Sequence, residues 1–161
     1  LYFTPSISND LKIAYVDMSK IINESSAGKN LTEQIKSLNT SNVNKYKKKE
    51  NELIIMEKDL LKKKNILSKE DFEAKVIALQ TTIKKFKNDI NVSRRDVESK
   101  RNKGTAKIFK FLNSILTDYS SKNSITLVLQ KKNILIAKSE LDITSQILEL
   151  LNKKVKTIKL K

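Results

Sequence analysis

The sequence contains no cysteine, no histidine and no tryptophan, and it has one proline and two glycines. Without cysteine there is neither a disulfide nor a thiolate metal site. Freedom from thiols also suits an oxidising compartment, where stray thiols are a liability. Without histidine the commonest general base and most transition-metal sites are gone, and the usual nucleophile dyads go with them. No apolar run approaches the ~18–20 residues needed to cross a bilayer. So little Gly and Pro permits few tight turns, and the 161 residues must lie in a few long elements. Apolar residues make up 39%, below the usual ~45–50%, while charged residues reach 32% against ~25%. A pair of long helices exposes most of its surface and fits that balance.

Charge and periodicity remain. Lys and Arg number 33 against 18 Asp and Glu, a formal net charge of +15. Such a chain is attracted to nucleic acid, to an anionic membrane surface or to acidic polypeptide. Abundant Lys, Asn and Ile also fit the bias of an AT-rich genome, so charge alone does not choose among these.

The organising stretch runs from Phe72 to Val97. Phe72, Val76, Leu79, Ile83, Phe86, Ile90 and Val97 are spaced by alternating fours and threes, with Ser93 in the one missing place. That is a heptad seam. A single narrow stripe needs a partner helix, and one lies upstream in reverse: Leu67, Leu60, Met56, Leu53 and Tyr46, with Lys49 and Lys63 at two weak positions. The seams meet at Ser68-Lys69-Glu70-Asp71, a helix-starting capping box. The spacing predicts an antiparallel hairpin pairing Leu60 with Leu79, Met56 with Ile83, Leu53 with Phe86 and Tyr46 with Ser93.

In chain order, residues 1–10 read as a flexible leader. The chain starts at Leu1 without a methionine, which points to a processed product. Leu11–Val16 reads as a strand, followed by a short helix capped by Asp17 or Ser19. Residues 28–105 form the helical arm, ascending over roughly 28–66 for ~60 Å, turning near 67–71, then descending. Gly104 is a plausible bend where the apolar face broadens through Ile108, Phe109, Phe111, Leu112, Ile115, Leu116 and Tyr119. Ile125–Gln130 and Asn133–Ala137, around Lys131-Lys132, read as a β-hairpin, and Asp142 as the N-cap of a closing helix. The expected fold is therefore mainly α with a small three-stranded β body, built from 11–27 and 106–161. Strands so short associate through their edges, so an oligomer is expected, with Ile13, Tyr15, Val16, Leu127, Leu129, Ile134 and Ile136 at its interface.

Gly28-Lys29 is not a phosphate loop, because the upstream Gly is missing and Asn30 stands where Ser or Thr is required. Glu50, Glu52, Glu57 and Asp59, interleaved with lysines, read as a salt-bridged helix face rather than a catalytic carboxylate pair. No catalytic, cofactor or metal residue is expected. The basic groups on the arms are the candidate binding residues: Lys47, Lys48, Lys49, Lys62, Lys63, Lys64, Lys84, Lys85, Lys87, Arg94, Arg95 and Arg101. Aromatics at 6% are too few to expect specific nucleic-acid reading, although phosphate binding by charge alone stays open.

The opening Lys12-Ile13-Ala14-Tyr15-Val16-Asp17-Met18 with Gly28-Lys29 resembles the start of the Skp, or OmpH, family of periplasmic chaperones. Ile125–Leu129, Ile134–Ala137 and Asp142-Ile143-Thr144 resemble that family's closing block, in the same order, over about residues 11–152. The resemblance implies a homotrimer whose β-rich bodies join and whose helical hairpins surround a cavity. It further implies that unfolded outer-membrane β-barrel proteins are held there, without ATP or cofactor, in the periplasm. A basic coiled-coil protein associated with nucleic acid, a prefoldin-like cytosolic chaperone and a structural spacer are the competing readings.

Overall fold

The computed structural model describes residues 11–160. The chain divides into two compact units, one formed by the residues up to Thr32 together with those from Lys103 onward, the other by Glu33–Asn102.

In the first unit, β1 (Ile13–Val16) pairs in parallel with β2 (Leu127–Gln130), in the register Ile13–Leu127 to Val16–Gln130. Its other edge is also taken: Tyr15 bridges Asp142, and the Ile143 N–H donates to the Tyr15 carbonyl at 3.0 Å. A four-residue strand used on both edges becomes the centre of its unit, which explains why Ala14, Tyr15 and Val16 are buried. Helix α1 (Met18–Glu24) starts at Asp17, whose carboxylate accepts from the Lys20 N–H at 2.9 Å. Helix α4 (Thr144–Lys154) lays Ile147 and Leu151 into the core. Ile21, Ala27, Leu31, Ile108, Leu112, Ile115 and Ile158 complete that core.

Helix α2 (Ser26–Lys62) follows α1 after a break at Ser25, where the backbone becomes extended. The buried Ser25 hydroxyl accepts from the Gly28 N–H at 3.1 Å, and the Ser26 N–H donates to Asn152 Oδ1 at 2.7 Å. Gly28 lies so near the Ile22 carbonyl that a Cβ there would sit 1.6 Å from its oxygen. The C-terminal segment crosses the same region. The Ile158 N–H donates to Asn30 Oδ1 at 3.1 Å, and Lys107 Nζ donates to the Lys159 carbonyl at 2.7 Å.

In the second unit α2 faces α3 (Lys69–Lys122) along the expected seam. The Tyr46 and Phe86 rings lie 6.1 Å apart at 59°, and the Tyr46 hydroxyl donates to the Asp89 carbonyl at 3.1 Å. Further along, Met56 and Leu60 share a groove with Ala78 and Leu79. Rising numbers on α2 thus meet falling numbers on α3, and the two helices run in opposite directions. Helix α2 stops at Lys62, short of 66, because Lys63 and Lys64 turn to the Leu60 and Leu61 carbonyls. Ser68 then caps α3, its Oγ accepting from the Asp71 N–H at 3.1 Å while donating to the Asp71 carboxylate at 2.8 Å. The acid serves the capping hydroxyl itself rather than the Ser68 backbone.

Two expectations are corrected. Ile134–Ala137 forms no strand, and the sheet of the described residues has two strands, not three. Lys131–Asn133 closes as a 3-10 turn, since neither Lys131 nor Lys132 favours the positive φ of a tight hairpin turn. Both edges of β1 are occupied, so a third strand could join only at the outer edge of β2, and Ile134–Ala137 does not pair with it. At Gly104, where a bend was expected, α3 stays helical, and the missing Cβ gives room to Leu31, whose Cδ1 would otherwise lie 2.5 Å away. Second, the cap position of α4 is Ile143, with Asp142 one place earlier. The Asp142 carboxylate accepts from the Thr144 N–H at 2.9 Å and from its hydroxyl, which in turn accepts from the Asp17 N–H at 2.9 Å. The leader, residues 1–10, lies outside the described residues.

Replacing an unobstructed helical glycine by alanine gains ~1 kcal/mol. At Gly28 the sign reverses. Gly28→Ala should cost about 2 kcal/mol or more in urea unfolding, because backbone rather than a flexible side chain must move. Ser68→Ala should cost ~1 kcal/mol through loss of the cap. A neutral result for either would contradict the corresponding contact.

Candidate functional site

Two packed helices bury one stripe each and present the rest of their surface to water. In the second unit that leaves all of Lys47, Lys48, Lys49, Lys62, Lys63, Lys64, Lys84, Lys85, Lys87, Arg94, Arg95 and Arg101 exposed. The expected seam is taken up for the most part: Leu53 and Val97 are buried, and Phe72, Val76, Leu79, Ile83, Phe86 and Ile90 half-buried. Met56 departs from it, at 49% exposure.

The seam is thinnest around Tyr46. Asn42 and Ser93 are too small to fill it, and a cleft opens on each side of the Tyr46–Phe86 pair. One, of about 830 Å³, is lined by Lys48, Lys49, Lys85 and Val92 besides the two rings. The other, of about 440 Å³, is lined by Val43, Lys47, Ile90 and Arg94. Five of the twelve expected basic residues therefore border these clefts: Lys47, Lys48, Lys49, Lys85 and Arg94. Lys45 Nζ stands 5.5 Å from the centre of the Tyr46 ring. Lys49 pairs with Glu52 at 3.0 Å and Lys62 with Asp59 at 3.2 Å, both exposed, and such pairs contribute little to stability. Their consequence is electrostatic: they neutralise two of the lysines and leave the others as net positive surface.

The residues expected at an oligomer interface separate into two groups. Tyr15 and Val16 are consumed by the chain's own core, and Ile13 and Ile134 are half-buried. Leu127, Leu129 and Ile136 are exposed, as is their neighbour Leu135, which is wholly so at 102%. On α4, Glu149 lies below the usual carboxylate range because Lys153 hydrogen-bonds it at 2.6 Å and adds its charge.

Sequence reasoning centred on the seam missed a second apolar set, Val43, Ile54, Ile55 and Leu61 on α2 and Ile66 in the turn after it, all exposed. Their signal was available, since each falls off the heptad stripe.

Comparison with known proteins now decides the family. The OmpH model, described as outer membrane protein (OmpH-like), matches residues 12–151. The chain belongs to the OmpH-like family. A crystal structure from Caulobacter crescentus, described as an OmpH-like outer membrane chaperone, superposes with a TM-score of 0.88 at 18% identity, covering 100% of this chain and 96% of that one. At that identity the likeness speaks for the fold alone. No curated protein matches the sequence. No helix among the described residues is long and apolar enough to cross a membrane.

The thin layer at Ser93 yields a direct test. Ser93→Leu should fill the space beside Tyr46 and Phe86 and raise stability by ~1 kcal/mol, read as a higher thermal midpoint at unchanged helical content. A lower midpoint would mean that the clefts are not open packing space.

Proposed function

We propose that this protein is an ATP-independent periplasmic holdase that binds unfolded outer-membrane β-barrel proteins and prevents their aggregation. The observation that carries the reading is membership of the OmpH-like family over residues 12–151, and with it the chaperone role. The structure adds a basic helical unit whose candidate residues are all solvent-exposed. In this reading the active form is a homotrimer. Leu127 and Leu129 on β2, with Leu135 and Ile136 beyond it, supply the joining surface, because β2 is paired on one edge only among the described residues. Three copies then present three antiparallel helical arms, whose lysines and arginines draw in acidic clients over the range set by salt. Binding needs no chemistry: unfolded chains expose apolar and acidic groups together, and the arms answer both. The same charge would hold the arms near an anionic membrane surface.

The test is dilution of a urea-unfolded outer-membrane β-barrel protein into buffer with and without this protein, with no ATP, followed by light scattering. Suppression that saturates near one trimer per client and weakens as salt rises is the expected result. Absence of suppression at several-fold excess of a folded trimer would refute the holdase reading. A solution mass of one chain would remove the trimer.

A further inference from the structure

Residues 155–160 follow α4 with neither helix nor strand, and the family match, which ends at residue 151, does not extend to them. They are held at points on two different helices of the first unit. The Ile158 N–H donates to Asn30 Oδ1 of α2, and Lys107 Nζ of α3 donates to the Lys159 carbonyl. Ile158 is buried, at 3% exposure, while Val155 and Leu160 are half-buried. At Gly104 of α3 a Cβ would meet not only Leu31 of α2 but also Leu160 Cδ2, at 3.2 Å. Both helices and the segment therefore touch at one place. Asn30, Leu31, Gly104 and Lys107 belong to the turn of each helix that borders the limits of the unit, Thr32 and Lys103.

These anchors work against charge. The meeting segments, 26–32 of α2, 103–110 of α3 and 155–160, contain no acid. They carry Lys29, Lys103, Lys107, Lys110, Lys156 and Lys159, all exposed. The first acid beyond them on α2 is Glu33, and on α3 it is Glu98. Among the described residues neither Lys156 nor Lys159 is in an ion pair. We propose that residues 155–160 are a releasable clasp that ties the roots of α2 and α3 together, and that ionic strength sets how firmly it is seated. Its hold on each helix is slight: one hydrogen bond to α2, one to α3 and one fully buried side chain. Such a segment opens locally, its backbone groups passing to water while the sheet stays paired. Like charge raises the free energy of the seated form, and salt screens that repulsion: the Debye length falls from ~20 Å at about 20 mM to ~6 Å at about 300 mM. The clasp is thus loosest at low salt. The inference does not depend on what the protein binds.

The experiment is native-state hydrogen exchange on the full chain, resolved into residues 155–160, the roots 26–32 and 103–110, and β1. In low urea the amides of 155–160 should exchange faster than those of β1 and with little urea dependence, the mark of a local opening. Raising salt from about 20 to about 300 mM should slow them by about threefold relative to β1. Lys156→Glu with Lys159→Glu, both at exposed positions, should slow them comparably at low salt and abolish the salt effect, with Lys156→Gln and Lys159→Gln falling between. Ile158→Ser should speed exchange at both roots several-fold, with helical content by circular dichroism unchanged. Exchange of 155–160 at the rate and urea slope of β1 would make the segment part of one cooperative core and overturn the clasp. Indifference to salt and to charge reversal would overturn it equally. Loosening of a single root by Ile158→Ser would leave a segment that covers one helix and ties nothing together.

Discussion

A helix packed against one partner can bury only a stripe of its surface, and in Glu33–Asn102 that limit governs everything else. Phe72, Val76, Leu79, Ile83, Phe86 and Ile90 occupy the stripe of α3, yet none is fully buried. Local stability is accordingly modest and distributed along the length rather than concentrated in a core. Where the stripe meets Asn42 and Ser93 it thins further, and the Tyr46 hydroxyl, reaching the Asp89 carbonyl, provides a polar contact in place of packing. Charged residues take the remaining surface because nothing covers it, and they keep so exposed a helix pair in solution.

The other unit solves a different problem. Its strands are four residues each, too short to stand alone. They are held because segments distant in sequence converge on β1: β2 on one edge, Asp142 and Ile143 on the other, with Thr144 joining the Asp17 backbone to the start of α4. Asn152 and Asn30 repeat the device, each side-chain oxygen receiving a backbone N–H from a remote segment. Buried backbone groups that the small sheet cannot satisfy are satisfied by side chains instead. The core therefore depends on both ends of the chain being present together.

What could be read from the sequence follows from which interactions are local. The heptad stripe, the Ser68 cap and the Asp17 cap depend on neighbours three or four residues away, and each was legible. The third strand was not. Ile134–Ala137 has the composition of a strand, but composition does not fix pairing: β2 pairs with the remote β1, and the chain after it closes in a 3-10 turn without folding back onto its outer edge. Gly104 was read as a bend because sequence shows a missing side chain, not the Leu31 methyl that occupies its place. Met56 fits the heptad by spacing yet stays half in water, since a repeat names a side of the helix without saying how deeply the partner covers each level. Among the candidate site residues, the lysines were legible as exposed and the partition of the body residues was not. Tyr15 and Leu127 look alike in sequence, and only the pairing shows that one is core and the other surface.

The aliphatics outside the seam bear on how such a surface would bind. Charge alone attracts a client over a range of roughly 10 Å but discriminates weakly and is screened by salt. Aliphatic groups alone, gathered into one sector, would drive the arms together as readily as they bound a client. Interspersing the two on α2 avoids both outcomes. Val43, Ile54, Ile55 and Leu61 each have a lysine three or four residues away along α2, so positive charge stands within one helical turn of every one of these exposed aliphatics. The lysine excess is thereby given a second role beyond attraction: it keeps exposed aliphatics available in a protein that has too little core to hide them.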